Sequence, residues 1–316
     1  MQLTKHHGLG NDFLISVGHW EDITRAAQEI DRRGVAPHLC DRRIGVGADG
    51  LIVLCRREQP DGDHATTGEK NGAPDNNQPE PETWDMILWN SDGSRAELSG
   101  NGLRCVGQAL AQHTGASAFA VHTAAGLRRV VVVAGDVGDA TIQVEVEMAE
   151  VGPGPEPWGG WHDLGLNPSG QFGVDVGNPH LVVFVPDIDA VELAKVGPVV
   201  EESYPEGVNV EFVAHDPALE RSSDAPSSET VRDQVDMRVW ERGAGITQAC
   251  GSGAVATAWA ARRMGIGGDR LIVSMPGGAA TVSFVGDAAR LTGPATFVAT
   301  LEVDMTSFGS RTATHT

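Results

Sequence analysis

Two short motifs place a side chain that can handle protons directly before a glycine-led helix. They are Ser99-Gly100-Asn101-Gly102 and Cys250-Gly251-Ser252-Gly253. The first N–H groups of a helix have no partner inside the helix and lie at the positive end of its dipole. Glycine lets a small anion approach that backbone closely. The two motifs therefore predict sites for a carboxylate or a phosphate.

Cys250 stands at such a helix terminus, unlike Cys40, Cys55 and Cys105. The helix dipole and the free N–H groups favour the thiolate, which is the reactive form of a cysteine. We therefore expect the Cys250 thiolate to be stabilised and to do chemistry. An ordinary helix start with an inert cysteine is the alternative that the local sequence leaves open.

Ser99 precedes the other helix, and serine is among the best N-cap residues. Capping alone would explain it. Its position, matched to that of Cys250, favours a second interpretation, in which two groups face one carbon atom from opposite sides. This geometry suits removal of a proton from one face and delivery to the other. The α-proton of an amino acid is weakly acidic, and two helix termini aimed at the carboxylate would stabilise the developing charge.

The elements that must position these residues form an internal repeat. A tryptophan precedes each helix terminus by 10 residues, since 99 − 89 and 250 − 240 are equal. The other echoes, in the same order in both parts, are Gly10-Asn11-Asp12-Phe13 with Gly177-Asn178-Pro179-His180, and Gly45-Val46-Gly47 with Gly207-Val208-Asn209. The ordered set predicts two related α/β halves, each with strands followed by a glycine-led helix.

Short β-type runs dominate the rest of the chain, and two helices are clear. The predicted strands are 51–54, 130–133, 142–148, 181–185, 208–213, 271–274 and 281–285. One helix begins near Gly100, and the other begins near Gly251 with Gly265 as its C′ residue. Residues 57–83 and 215–234 are poor in large apolar side chains and predict surface insertions, and 307–316 predicts a flexible tail.

The composition restricts the function. The chain has 316 residues, long enough for about two domains, and 23 Lys+Arg against 43 Asp+Glu give a net charge of −20. This charge argues against nucleic acid and anionic membranes as partners. The four cysteines form no CxxC pair, so we expect no metal site and no disulfide framework. Without a secretory signal or a spanning segment, we expect a cytoplasmic protein.

One further glycine-rich segment matches a nucleotide-binding pattern by letter only. Gly45-Val46-Gly47-Ala48-Asp49-Gly50 fits Gly-x-Gly-x-x-Gly. That fingerprint needs a strand before it and a helix after it. Here a strand-like run, 51–54, follows the glycines in place of a helix. The order of elements therefore argues against a Rossmann site.

Taken together, the motifs resemble the diaminopimelate epimerase family of cofactor-independent amino-acid racemases. The matching segments are residues 5–13 (KHHGLGNDF), 40–50 (CDRRIGVGADG), 90–94 (NSDGS), 99–104 (SGNGLR), 177–180 (GNPH), 207–210 (GVNV), 241–245 (ERGAG) and 249–253 (ACGSG). The resemblance spans residues 5 to about 278 and fails in the two insertions. It implies an α/β (α+β) fold of two pseudo-symmetric halves, each a mixed or antiparallel sheet wrapped around a central helix, with the active site in the cleft between them.

The resemblance also implies the limits of the halves. The N-terminal half would be 1–140, completed by a C-terminal strand 297–306, and the C-terminal half would be 141–296. It implies an isomerase that interconverts LL- and meso-diaminopimelate in lysine and cell-wall precursor synthesis. It implies no cofactor, including no pyridoxal phosphate, a small-molecule substrate as partner, and a homodimer.

The site residues that the resemblance implies fall into three groups. Two thiols act as base and acid, and Cys250 is one of them. His180 and Glu241 tune the thiol pKa values, and Glu241 also meets the α-ammonium. The α-carboxylate is held by Gly100, Asn101, Gly251 and Ser252, and the rest of the substrate by Asn11, Asn90, Asn178, Asn209 and Arg242.

The departure from the family is Ser99, which stands where the family has its second catalytic cysteine. An alcohol is a far weaker acid than a thiol. Impaired epimerisation is therefore one expectation. A proline-racemase-type epimerase or dehydratase with a serine–cysteine pair, acting on a cyclic amino acid, is a second. Asn101, Glu241 and Arg242 argue against it, because amides and a guanidinium suit a distal amino-acid group. A zwitterion-binding protein without turnover is a third.

Overall fold

The computed structural model describes residues 1–19, 22–57, 81–215, 234–286 and 288–307. The predicted insertions 57–83 and 215–234 and the predicted tail 307–316 lie almost entirely outside the described residues. The helices and strands form two successive halves of the chain. In each half the glycine-led helix follows a set of strands and is itself followed by three more strands.

The N-terminal half contains β1 (Gln2–Gly8), β2 (Asn11–Val17), α1 (Ile23–Arg33), α2 (Val35–Cys40), β3 (Gly50–Arg56), β4 (Glu82–Asn90), β5 (Arg95–Ala96), α3 (Gly100–Thr114), β6 (Ala118–Thr123), β7 (Gly126–Ala134) and β8 (Thr141–Glu150). The C-terminal half contains β9 (Gly152–Pro153), β10 (Gly170–Asp175), β11 (Pro179–Phe184), α4 (Leu193–Glu202), β12 (Asn209–Ala214), β13 (Gln234–Glu241), β14 (Gly245–Ile246), α5 (Gly251–Arg263), β15 (Arg270–Met275), β16 (Gly278–Val285) and β17 (Ala288–Glu302). Short 3₁₀ helices occupy Trp161–Leu164 and Met305–Ser307.

The strands close into two rings that share β8 and β17. In the first ring β1, β2, β3, β4, β6, β7 and β8 pair in that order, and β17 pairs with both β8 and β1. In the second, β10, β11, β12, β13, β15, β16 and β17 pair in order, and β8 with its continuation β9 closes the ring. Each ring mixes parallel and antiparallel neighbours. Closure leaves few strand edges unpaired.

One glycine-led helix fills each ring. In α3 the first twelve residues, 100–111, are all buried, and α5 is buried over nearly all of its length. The inward residues of the strands alternate with outward ones, as in β8, where Ile142, Val144 and Val146 are buried. The helices and the inner faces of the strands form one continuous core. The outer helices α1 and α2 pack on β3 and β4, α4 packs on β12 and β13, and the three helices bury two further clusters.

The predicted fold class is confirmed: the two halves are pseudo-symmetric and each wraps a sheet around a helix. Both predicted helices and all predicted strands are present, and Gly265 has the positive φ of a C′ residue, 75°. The segment Gly45–Gly50 runs from α2 into β3, the reverse of the Rossmann order. The limits 1–140 and 141–296 stay a prediction. No helix in the described ranges is long and apolar enough to span a membrane.

Candidate active site

The two central helices begin side by side. A methyl group built on Gly251 would lie 3.1 Å from Cα of Gly100 and 3.3 Å from the backbone nitrogen of Asn101. Glycine at both positions therefore lets the two helix termini meet at backbone distance. The unpaired N–H groups of both first turns are brought to one place, so both helix termini can act on the same anion.

Ser99 and Cys250 cap these helices in the same way. Ser99 has φ −140° and ψ 117°, and Cys250 has φ −121° and ψ 117°. The backbone N–H of Gly102 donates to Oγ of Ser99 at 3.0 Å, and that of Gly253 donates to Sγ of Cys250 at 3.4 Å. The capping role expected of Ser99 is present, and the thiol has the equivalent role. The structure brings the two side chains to one cavity.

The two tryptophans of the repeat hold the strands before each helix. The indole N–H of Trp89 donates to Oδ1 of Asp31 in α1 at 2.7 Å, and that of Trp240 donates to Oε2 of Glu201 in α4 at 2.6 Å. Both rings are thus tied to the outer helix of their own half. The two tryptophans therefore have equivalent positions in the two halves.

The cavity between the halves has a volume of about 830 Å³. It is large enough for a small amino acid with two charged ends. Most residues predicted for the site line it. They are Asn11, Asn90, Ser99, Gly100, Asn101, Asn178, Glu241, Arg242, Cys250, Gly251 and Ser252. His180 and Asn209 are buried behind the wall, 0% and 4% exposed, and do not line it.

Glu241 is a partly buried carboxylate at this wall. The hydroxyl of Thr247 donates to its Oε1. Burial raises the pKa of Glu241 above its usual range, although hydrogen bonds from Thr247 and Cys250 act in the opposite direction. A cationic group placed beside Glu241 would favour its charged form.

The resting state of Cys250 differs from the expectation. Burial, followed by the charges of Glu241 and Glu211, raises the pKa of the Cys250 thiol well above its ordinary value. Hydrogen bonds from Ser252 and the backbone N–H of Gly253 lower it, in the predicted sense, but they are outweighed. The direction is therefore opposite to the predicted one, chiefly because the thiol is fully buried and secondly because two carboxylates lie near it.

In the N-terminal wall, a charged network holds Asn11. Its amide nitrogen donates to Oδ2 of Asp49 at 2.8 Å, and its amide oxygen accepts from Asn101 at 3.2 Å. Arg42 bridges Oδ1 of Asp49, at 2.8 Å, and Oδ1 of Asp12, at 2.6 Å. The amide of Asn101 also donates to the carbonyl of Ala249 at 3.0 Å, which ties α3 to the residue before Cys250.

The buried Asn209 positions the opposite wall. Its amide oxygen accepts from the backbone N–H of Arg242 at 2.9 Å, and its amide nitrogen donates to the carbonyl of Pro179 at 2.9 Å. It thereby joins the segment that carries Asn178 to the segment that carries Glu241 and Arg242. His180 lies behind Asn178, and its Nε2 is 3.0 Å from Oδ1 of that residue.

Sequence reasoning missed several residues of the site. Arg42, Asp49 and Gln248 line the cavity, and Glu211 is buried behind it. Arg42 and Asp49 lie in the segment 40–50, one of those that resemble the family, but no feature of the sequence assigned them a role. For Glu211 a signal existed, because it is a single carboxylate in the otherwise apolar run 208–213. A charge in such a run is almost never buried without a partner.

Solved structures with the same fold include isomerases. A hydroxyproline epimerase from Agrobacterium vitis, with bound trans-4-hydroxy-L-proline, has a TM-score of 0.61 and 17% identity, covering 96% of this chain and 90% of its own. A phenazine-biosynthesis protein from Bacillus anthracis has a TM-score of 0.62 and 14% identity, covering 96% and 99%. At these identities the similarity shows the fold alone. The fold thus defines a structural class that includes these proteins, and the sequence decides the activity within it.

The sequence places the chain within that class. It matches the model of the diaminopimelate epimerase family over residues 3–151 and 172–298. A diaminopimelate epimerase from Synechocystis sp. is 34% identical over 310 residues, covering 93% of this chain and 96% of the relative. One from Corynebacterium glutamicum (strain R) is 34% identical over 312 residues, covering 95% and 97%. The chain belongs to the diaminopimelate epimerase family, and it is an isomerase.

Proposed function

We propose that the chain acts on the α-carbon of diaminopimelate, interconverting the LL and meso forms without pyridoxal phosphate, and that Ser99 slows the inversion. The observation that carries the proposal is the matched pair of caps, Ser99 and Cys250, on two helices that meet at Gly100 and Gly251. The substrate is inferred from the relatives, which are named diaminopimelate epimerases.

The α-carboxylate would bind where the two helices begin. The first-turn N–H groups of Gly100, Asn101, Gly251 and Ser252 have no intrahelical acceptor. Loss of the α-proton places negative charge on the carboxylate, and preorganised N–H donors in a largely buried site stabilise that charge. These donors need no reorganisation during the reaction, because the glycine contact fixes the two helices against each other.

The α-ammonium would meet Glu241. This carboxylate is partly buried, and its charge raises the pKa of the nearby Cys250 thiol. A cation placed beside Glu241 offsets the carboxylate charge and so lowers the thiol pKa. Substrate binding itself would therefore help Cys250 to release its proton, and the thiolate would form only in the presence of substrate.

The distal amino-acid end would lie against Asn11, Asn90, Asn178 and Arg242. The guanidinium of Arg242 suits the distal carboxylate, because a guanidinium and a carboxylate form strong, directional hydrogen bonds. Asn209 would act indirectly by holding the backbone of Arg242. A distal ammonium and carboxylate both find partners among these amides, which favours a substrate with two amino-acid ends over a cyclic one.

Ser99 changes the proton balance of the reaction. In the proposed step, the Cys250 thiolate takes the α-proton, and the electron pair of the broken C–H bond spreads into the carboxylate. For inversion, the Ser99 hydroxyl would give its proton to the opposite face and remain as an alkoxide. An alkoxide is far less stable near neutral pH than a thiolate. Return of a solvent-exchanged proton from Cys250 to the same face needs no alkoxide, so exchange with retention would exceed inversion.

The substrate assignment is tested in heavy water. LL-diaminopimelate, meso-diaminopimelate, L-proline and trans-4-hydroxy-L-proline are incubated with the protein, and α-deuterium uptake is followed by NMR. We expect uptake into a diaminopimelate isomer and none into the cyclic amino acids. Uptake only into a cyclic amino acid would favour the proline-racemase-type alternative. Binding of diaminopimelate without uptake would favour the zwitterion-binding alternative.

Three further expectations follow from the family relatives and stay predictions. They are a role in lysine and peptidoglycan precursor synthesis, a cytoplasmic location and a homodimer. The oligomeric state is measured by light scattering across a concentration series, and a homodimer predicts twice the chain mass of 33.2 kDa.

A further inference from the structure

The first turn of one central helix contacts an apolar side chain, whereas the first turn of the other contacts a carboxylate. A methyl group built on Gly102 in α3 would lie 3.3 Å from Cδ1 of Ile52. A methyl group built on Gly253 in α5 would lie 2.6 Å from Oε1 of Glu211. These two glycines are equivalent in the repeat. The apolar side chain of Ile52 therefore occupies the place beside α3 that the carboxylate of Glu211 occupies beside α5.

The strand registers confirm this equivalence and extend it to a second pair. Phe13 pairs with Gly50 in the parallel β2–β3 ladder, and His180 pairs with Asn209 in the parallel β11–β12 ladder. Ile52 and Glu211 each lie two residues further along, on the same face of their strands. The pair under the Ser99 helix is thus phenylalanine with isoleucine. The pair under the Cys250 helix is histidine with glutamate.

The polar pair forms a relay that ends at the cavity. Nδ1 of His180 lies 2.7 Å from Oε1 of Glu211, and both side chains are fully buried. Nε2 of His180 lies 3.0 Å from Oδ1 of Asn178. A carboxylate and an amide oxygen only accept hydrogen bonds, so both ring nitrogens of His180 lie against acceptor atoms. These two contacts hold the ring between Glu211 and Asn178.

The relay fixes the amide of Asn178, which lines the cavity. With Oδ1 held by His180, its nitrogen remains for the cavity side. We propose that Glu211 is a positioning residue: through His180 it orients the Asn178 amide so that this wall offers a donor and selects a carboxylate of the ligand. This deepens the proposed function and rests on it for the identity of that ligand. The N-terminal half has Phe13 and Ile52 instead, so it has no such relay.

The inference is tested first on the ring of His180 in the full chain. Histidine is labelled with ¹⁵N, and spectra are recorded without substrate for the unsubstituted protein and for Glu211→Gln. We expect both ring nitrogens of His180 to be protonated in the unsubstituted protein and only one in Glu211→Gln. The matched control is Asp236→Asn, which removes the same charge at an exposed position on the neighbouring strand β13. It should leave the His180 signals unchanged.

The second measurement is the KM for α-deuterium exchange of diaminopimelate. With a neutral His180 the Asn178 amide turns to donate inward, and its oxygen then faces the ligand carboxylate. We expect KM to rise about tenfold in Glu211→Gln, the effect of one lost hydrogen bond to a charged group. Because the charge of Glu211 also raises the pKa of Cys250, kcat is compared at the plateau of its pH profile, where we expect a smaller change.

A double variant keeps the test informative if Glu211→Gln fails to fold. His180→Phe with Glu211→Ile reproduces the Phe13 and Ile52 pair of the other half, and replacement of a whole buried ion pair by apolar residues is often tolerated. We expect a similar rise in KM with no loss of thermal stability. A singly protonated His180 in the unsubstituted protein, or an unchanged KM in both variants, would overturn the inference. Absence of exchange in the unsubstituted protein would instead overturn the proposed function, and the spectra alone would then decide the inference.

Discussion

Ser99 and Cys250 are structural equivalents: each caps a central helix from an extended backbone conformation, and each accepts a hydrogen bond from the N–H three residues ahead. Their chemistry is not equivalent. The hydroxyl of Ser99 cannot hold a negative charge near neutral pH, whereas the thiol of Cys250 can once its surroundings become less negative. The two faces of a bound α-carbon would therefore meet one competent base and one weak acid.

Removal of the thiol should abolish proton exchange. In Cys250→Ala we expect α-deuterium uptake by diaminopimelate to fall at least about 100-fold, the lower end of what a positioned general base contributes. Uptake is measured by NMR in heavy water. Cys105→Ala is the matched control, because Cys105 is buried inside α3, away from the cavity lining. An undiminished rate in Cys250→Ala would remove this residue from the mechanism.

The pH dependence of thiol reactivity should show the effect of Glu241 on the pKa of Cys250. Only the thiolate reacts with iodoacetamide, so alkylation of Cys250 speeds up as the pH rises through its pKa. The charge of Glu241 raises that pKa. In Glu241→Gln the midpoint of the alkylation profile should therefore move to lower pH. Peptide mass spectrometry assigns the modified residue.

Asp92→Asn serves as the control for this profile, since Asp92 lines the cavity from the N-terminal half. Its profile should match that of the unsubstituted protein. A midpoint that stays in place in Glu241→Gln, or moves to higher pH, would show that Glu241 does not raise the pKa of Cys250.

The contact between the helix termini should be intolerant of a methyl group. In Gly251→Ala the new carbon would lie 3.1 Å from Cα of Gly100, which is backbone and cannot turn aside. We expect a loss of about 1–3 kcal/mol in the free energy of unfolding, typical of overpacking. Urea denaturation measures it. Gly138→Ala has open space around its added methyl group and should leave stability nearly unchanged.

Asn209 should affect substrate affinity without touching substrate. Asn209→Ala removes the acceptor for the backbone N–H of Arg242 and the donor to Pro179. We expect KM for exchange to rise roughly 3- to 10-fold with a smaller change in kcat, as for the loss of one or two neutral hydrogen bonds. Asn209→Asp keeps the acceptor and should lose less. Equal effects of both variants would argue against the contact to Arg242.

The internal repeat made much of this fold predictable from sequence. The glycine-led helices and the tryptophan spacing recur because each half builds the same strand, turn and helix terminus. Three outer helices were missed, although α1 has an Asp22 cap, a Gly34 stop and apolar residues at Ile23, Ala27 and Ile30. The sharing of β8 and β17 between two rings was beyond local patterns, because strand pairing depends on contacts far apart in the chain.

The site was predictable where a helix terminus creates it and unpredictable where side chains from separate strands meet. Gly100, Gly251 and the two caps follow from local sequence. The burial of Cys250 and the approach of Glu211 and Glu241 to it do not follow from local sequence, and together they raise the thiol pKa against the expected direction. Arg42 and Asp49 were missed for the same reason, since they reach the cavity through a network with Asp12 that joins different strands and loops.

The most direct test of the account compares inversion with exchange in the unsubstituted protein and in Ser99→Cys. Diaminopimelate is incubated in heavy water, α-deuterium uptake is followed by NMR, and the stereoisomers are separated by chiral chromatography. Ser91→Cys, which adds a thiol elsewhere in the cavity wall, is the control. We expect exchange well ahead of inversion in the unsubstituted protein, and inversion at least about 100-fold faster in Ser99→Cys. Equal inversion rates in the two proteins would contradict it.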